Sequence, residues 1–235
     1  MIRVGYFCTA GHTEAGGMQM FLDRIDRTRA VWERCFPAVH KPGPKLRRPA
    51  PKEKEGLTGQ RLVREMLHRL ESFHRAGMPG ALDLVVFIDD ADCRFEGDPA
   101  KLQVWVTDRL REVSAATQSE DVPFIALFAS PEVEAWFLAD WEQGLGREYE
   151  KLATGDKPLR AHVEQLLGGP MDTVESFGGG LVNGSCENKL SERLQALIER
   201  LGEGYSKRSH GQDMLRRIRP EKVAVVCQTY FRPQL

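Results

Sequence analysis

The chain lacks the marks of a zinc ribbon, a membrane span and a P-loop. Its five cysteines (Cys8, Cys35, Cys93, Cys186, Cys227) stand singly, with no Cys-x-x-Cys pair. That argues against a structural zinc site, and an odd, scattered set suits a reducing compartment better than a disulfide framework. No apolar run approaches the ~20 residues that cross a bilayer. Residues 1–10, interrupted by Arg3, do not have a signal peptide's organisation, so a cytoplasmic protein with no membrane partner is expected. No Gly-x-x-x-x-Gly-Lys-Ser/Thr occurs, and the glycines at 178–180 follow no strand, so neither a P-loop nor a dinucleotide loop is present. Nor is there a net field to attract polyanions, because 33 basic residues face 34 acidic ones.

What the chain does have is 235 residues, 41% of them hydrophobic and 29% charged, enough for one packed α/β domain with a small addition. Its charge is segregated: residues 41–64 carry net +6, residues 83–150 net −11 and residues 205–235 net +5.

Apolar periodicity supplies the elements. Residues 2–8 read as a buried strand, followed by a turn in which Thr13 can cap a helix carrying Met18, Phe21, Leu22 and Ile25 and running on towards Val31 and Trp32. A short strand is expected near residues 36–39. Residues 41–56 form a basic loop in which Pro42, Pro44, Pro49 and Pro51 forbid regular structure. A helical stripe then runs from Leu62 to Phe73, residues 82–88 read as a strand covered on both faces, and Leu102 to Val113 form another helix. A strand over residues 122–129 precedes a helix opened by Pro131. Strands alternating with helices predict an α/β fold with a parallel sheet over residues 1–145, and residues 146–235 read as a mainly helical C-terminal appendage.

Parallel sheets gather functional groups at the carboxyl ends of their strands. One strand here ends in Ile88-Asp89-Asp90-Ala91-Asp92, the next in Ser130-Pro131-Glu132-Val133-Glu134, and the first runs into residues 9–14. Carboxylates crowded at one sheet edge repel one another unless a hard divalent cation neutralises them. Asp90 and Asp92, on alternate residues, can share Mg2+ or Mn2+ while Asp89 faces elsewhere, with Glu134 or Glu14 completing the set. His12 is a candidate proton shuttle. Lys45, Arg47, Arg48 and Lys52 are candidate phosphate contacts, and Lys189 or Lys207 could offset charge in a transition state.

The stretch Phe87-Ile88-Asp89-Asp90-Ala91-Asp92 resembles the Asp-x-Asp strand of the Toprim fold. Glu134-Ala135-Trp136-Phe137-Leu138-Ala139-Asp140 is similar to a motif of the Toprim-like group that includes the OLD and RloB nucleases. Gly11-His12-Thr13-Glu14 is similar to that group's first turn, although Ala10 stands where the family has a glutamate. Tyr205-Ser206-Lys207 and Tyr230-Phe231-Arg232 are fainter echoes. The resemblance implies a magnesium-dependent nuclease cutting phosphodiesters of DNA or RNA, the effector of a phage-defence system with an ABC-type or AAA-type ATPase as partner. With Ala10 in the first turn, the alternative is a non-catalytic Toprim module that binds nucleic acid or the ATPase and regulates it. A homodimer stays open.

Overall fold

The computed structural model describes residues 1–9, 11–26, 28–36, 57–76, 82–92, 94–95, 98–119, 122–153, 158–178, 181–182, 185–229 and 231. Strands β1 (Ile2–Cys8), β2 (Ala30–Phe36), β3 (Leu84–Asp90) and β4 (Phe124–Ala129) form one sheet in the order β2-β1-β3-β4. Every pairing is parallel. Helices α1 (His12–Leu22), α2 (Gly59–Arg75) and α3 (Pro99–Thr117) are the crossovers. The protein is therefore an α/β fold with an all-parallel sheet flanked by helices, followed by a largely helical C-terminal region.

Alternation along the strands decides which helices cover which face. Val4, Tyr6, Cys8, Val86, Ile88, Leu127 and Ala129 pack with Met18, Phe21 and Leu22 of α1. Phe7, Val85, Phe87, Ala126 and Phe128 pack with α2 and α3 through Leu62, Met66, Leu102 and Val113. The helix after β1 and the helix after β3 thus leave by opposite faces although the two strands are neighbours. A crevice at their carboxyl ends follows, the place where open α/β sheets hold ligands.

The chain after β4 runs through α4 (Glu134–Ala139), α5 (Leu145–Glu148), α6 (Leu159–Leu167), a two-stranded hairpin of β5 (Leu181–Val182) and β6 (Ser185–Cys186), α7 (Leu190–Arg200), α8 (Gln212–Arg217) and α9 (Pro220–Val226). Its buried side chains, among them Leu159, Leu190, Leu194, Met214, Leu215, Val223 and Phe231, join the same apolar cluster as α1 and one sheet face. Gly17 lets α1 and α8 approach closely, since a Cβ there would lie 2.8 Å from Leu215 Cβ and 3.0 Å from the Gln212 carbonyl oxygen. Residues 146–235 are in this way a layer over the sheet, built onto the core of residues 1–145.

Four local expectations are corrected. The first helix ends at Leu22, and Val31 and Trp32 belong to β2. Asp26 Oδ1 accepts from Thr28 N, Thr28 Oγ1 and Arg29 N, a side-chain turn that outbids the helix and lets two β-prone residues enter the sheet. The first residue flanking α1 is Gly11, and Thr13 Oγ1 instead donates to the Lys207 carbonyl. The helix expected from Pro131 begins at Glu134. Cys8, Cys35 and Cys227 are free and buried, whereas Cys186 is disulfide-bonded, against the expectation of unpaired thiols. Among the described residues, no helix is long and apolar enough to cross a membrane. The whole basic loop of residues 41–56, including Lys45, Arg47, Arg48 and Lys52, lies outside the described residues, as does Ala10.

Candidate functional site

The two aspartates at the end of β3 face opposite sides of the sheet, as strand alternation requires. Asp89 is buried and fully engaged. Its Oδ1 accepts from Thr9 Oγ1 at 2.7 Å, and its Oδ2 accepts from Gly59 N at 2.8 Å and Arg94 Nη2 at 2.8 Å. It ties the end of β1, the start of α2 and the loop after β3 into one frame. Gly59 reaches this carboxylate with φ +56°, a conformation that glycine enters without Cβ strain. Asp89 is a framework group.

Asp90 points to the other face, into a cluster of carboxylates. Its Oδ1 accepts from Val133 N at 2.9 Å. Burial, then the charges of Glu14, Glu134, Asp89 and Glu132, raise its pKa well above the usual carboxylate range. Glu14, on the first turn of α1, is 7% exposed. Burial is the main force on it and Glu134 adds repulsion, so its pKa is pushed up to about 7 although Lys207 works the other way. Glu134 is completely buried at the start of α4, and burial raises its pKa too, against the pull of Lys207. Its Oε1 accepts from Tyr205 Oη at 2.8 Å. Its Oε2 is buried with no hydrogen-bond partner among the described residues. Glu132 is held by Ser191, whose N and Oγ donate to Oε2 and Oε1 at 2.8 and 3.1 Å.

Among the described residues, Lys207 is the cation that enters this cage. Lys207 Nζ lies 3.4 Å from Glu134 Oε1 and 3.8 Å from Glu132 Oε1. Burial works to lower its pKa, but Glu134, Glu132 and Asp90 together raise it, so the ammonium stays charged. The lysine sits on a wide turn, Lys207–Gly211, closed by Gly211 N donating to Ser206 O at 3.2 Å. That turn is anchored to α1 by the Thr13 hydroxyl. Asp92 lies at the edge. Its φ is +46°, its N donates to Pro131 O at 2.7 Å, and burial followed by Glu132 raises its pKa while Lys189 lowers it.

A family model described as a domain of unknown function (DUF4276) matches residues 61–233, well over half of the chain. The chain belongs to that family. In this DUF4276 member the match takes in Asp90, Asp92, Glu132, Glu134, Ser191, Tyr205 and Lys207, while β1 and α1 with Glu14 precede it. No curated protein and no solved structure matches the chain.

Of the expected site residues, the fold brings Glu14, Asp90 and Glu134 together. Asp92 is placed instead with Glu132 and Lys189. His12 opens α1, but its side chain lies outside the described residues. Among the described residues, no group of three or more His, Cys, Asp or Glu side chains is gathered so as to hold an ion. Neither Asp90, Asp92 and Glu134 nor Glu14, Asp90 and Glu134 is accordingly assembled as a preformed centre. The donor chemistry nevertheless fits a hard divalent cation, because every candidate ligand is a carboxylate oxygen and Glu134 Oε2 is buried without a partner. Sequence reasoning missed Ser191 and the framework role of Asp89, read Tyr205 only as an echo, and offered Lys207, beside Lys189, as a group to offset transition-state charge without placing it among the glutamates. A Tyr-x-Lys some seventy residues downstream of the glutamates it serves has no local pattern that would announce it.

Proposed function

We propose that this DUF4276 protein is a Toprim-like phosphodiesterase that uses Mg2+ or Mn2+ to cut DNA or RNA. The observation that carries the reading is the convergence of Glu14, Asp90, Glu132 and Glu134 at the switch point of a parallel sheet, with Lys207 among them. A structural role alone has no use for four carboxylates at a place where three of them are driven towards protonation. A site that accepts a cation and a polyanion in turn does.

Asp90 and Glu134 are the residues that would hold the ion. When bound, it would lower the pKa of an attacking water and offset charge at phosphorus. Glu14, titrating near neutrality, is suited to take a proton from water or return one to the leaving oxygen. Tyr205 holds one oxygen of Glu134 and leaves the other free. Lys207, once released by Glu134, can pair with a non-bridging phosphate oxygen. The partner ATPase and the defence role implied by the resemblance belong to the same proposal, and the lack of a P-loop is in keeping with them.

Thermal melting and a cleavage assay test it together. A divalent ion bound only by the folded state adds about 2.7 kcal/mol at a hundredfold excess over Kd, a melting rise of roughly 5–10 °C for a chain of this size. The rise should vanish in Asp90→Asn. Asp83→Asn should keep it, because Asp83 accepts from Arg3 N at the opposite end of the strand. Melting indifferent to both ions in the unmodified protein would refute the metal site. Lys207, already a resident cation between Glu132 and Glu134, favours a second reading: a non-catalytic module that binds nucleic acid or the ATPase. Oligonucleotide binding without cleavage or metal response would select it.

A further inference from the structure

Helix α7 leads away from the acid cage and carries a line of cations. It begins at Leu190, and Ser191 on its first turn is hydrogen-bonded through N and Oγ to Glu132. Lys189, just before it, acts on the charge of Asp92. Arg193 lies four residues after Lys189 and Arg200 seven residues after Arg193, which keeps all three on one stripe about 16 Å long. Glu192 and Glu199, the acids of the helix, lie roughly a quarter-turn round. None of the three cations is ion-paired among the described residues. By contrast, Arg94, Arg217 and Arg219 are each tied to a carboxylate.

The two arginines border a groove of about 340 Å³ between α6 and α7. His162 and Gln165 form its other wall, and Leu166, Ala196 and Leu197 its floor. Glu164, an acid on α6, is engaged by Arg160 at 3.1 Å and does not neutralise the groove. Two guanidiniums with no ion-pair partner among the described residues, above an apolar floor, suit phosphate oxygens above sugar and base edges, since the planar fork of arginine matches a phosphate bidentately.

We infer that this groove is the track on which a nucleic-acid strand reaches the cage, its phosphates lying along Lys189, Arg193 and Arg200. The inference rests on the phosphodiester reading of the cage and names the surface that delivers the substrate. Binding is set by charge and spacing along the helix, so it is indifferent to base sequence.

The test uses the full chain with a short fluorescent single-stranded oligonucleotide, as DNA and as RNA, in chelator so that binding is read without cleavage. Arg193→Gln/Arg200→Gln should weaken binding and lower the log–log salt slope by about 1.4, at about 0.7 for each phosphate contact on a single strand. Arg111→Gln, an exposed arginine on α3 across the sheet, should leave the slope unchanged. Asp90→Asn should bind normally, which separates the track from the cage. An unaltered slope in the double variant overturns the track and leaves the cage reading intact. Polyglutamate binding as well as the oligonucleotide, and lost in the same variant, would assign the groove to an acidic protein partner and overturn it too. If the unmodified protein binds neither oligonucleotide and its melting ignores divalent ions, the phosphodiester reading fails as well.

Discussion

Raising the pH through neutrality should weaken this fold, and Glu14 should carry much of the loss. Its carboxyl moves from an ordinary 4.5 to about 7 on folding, chiefly because it is buried and then because Glu134 is near. The folded state therefore holds the proton more tightly than the unfolded chain does. Stability from this group is complete below the unfolded pKa, falls as pH rises between about 4.5 and about 7, and is flat above. At 1.36 kcal/mol per pH unit the interval is worth about 3 kcal/mol, or roughly 6–12 °C in melting temperature. Glu14→Gln keeps the shape and removes the titration. Urea unfolding across this pH range should show the native protein losing about 3 kcal/mol more than the variant. Asp90 and Glu134 are shifted the same way and steepen the fall in both proteins. Added Mg2+ should reduce the difference, because a cation stabilises the ionised cage. Parallel pH profiles for the two proteins would show that Glu14 is not strained in the fold and would remove it from the cage.

Two further substitutions test the framework around the site. Asp89→Ala strands the Thr9 hydroxyl, the Gly59 amide and the Arg94 guanidinium, and should cost about 3–5 kcal/mol; a loss under 1 kcal/mol in urea unfolding would contradict the buried ion pair. Tyr205→Phe removes the only hydroxyl seen donating to Glu134 among the described residues and should cost about 1–3 kcal/mol. In a double-mutant cycle with Glu134→Gln the two losses should couple, and strict additivity would show that the contact is absent in solution.

The alternation of strands and helices is written in local periodicity, and three of the four strands of the parallel sheet stand where their apolar runs place them. The exception is instructive. Val31 and Trp32 keep helical spacing with Met18 and Phe21, but the Asp26 turn interrupts the helix and the pair enters β2. Spacing alone does not weigh a side-chain turn against one more helical turn. Glu132 and Glu134 were legible as residues after a strand, yet not their burial, because the cover over them comes from α7 and the Lys207 turn.

Sequence alone thus determined the class of fold, the edge of the sheet where acids collect, and the oxygen chemistry those acids offer. It could do so because buried strands and their carboxyl ends are local features of the chain. The tertiary structure decided the membership of the cage: that Asp89, expected to face away, is spent on the framework, that Asp92 stands aside, and that Tyr205 and Lys207 enter from the far end of the chain. Those outcomes depend on strand parity and on long-range packing of α1 against α8, which bring together groups some seventy to two hundred residues apart. Burial among those partners, rather than any residue's identity, is what shifts the carboxylates towards the protonated form.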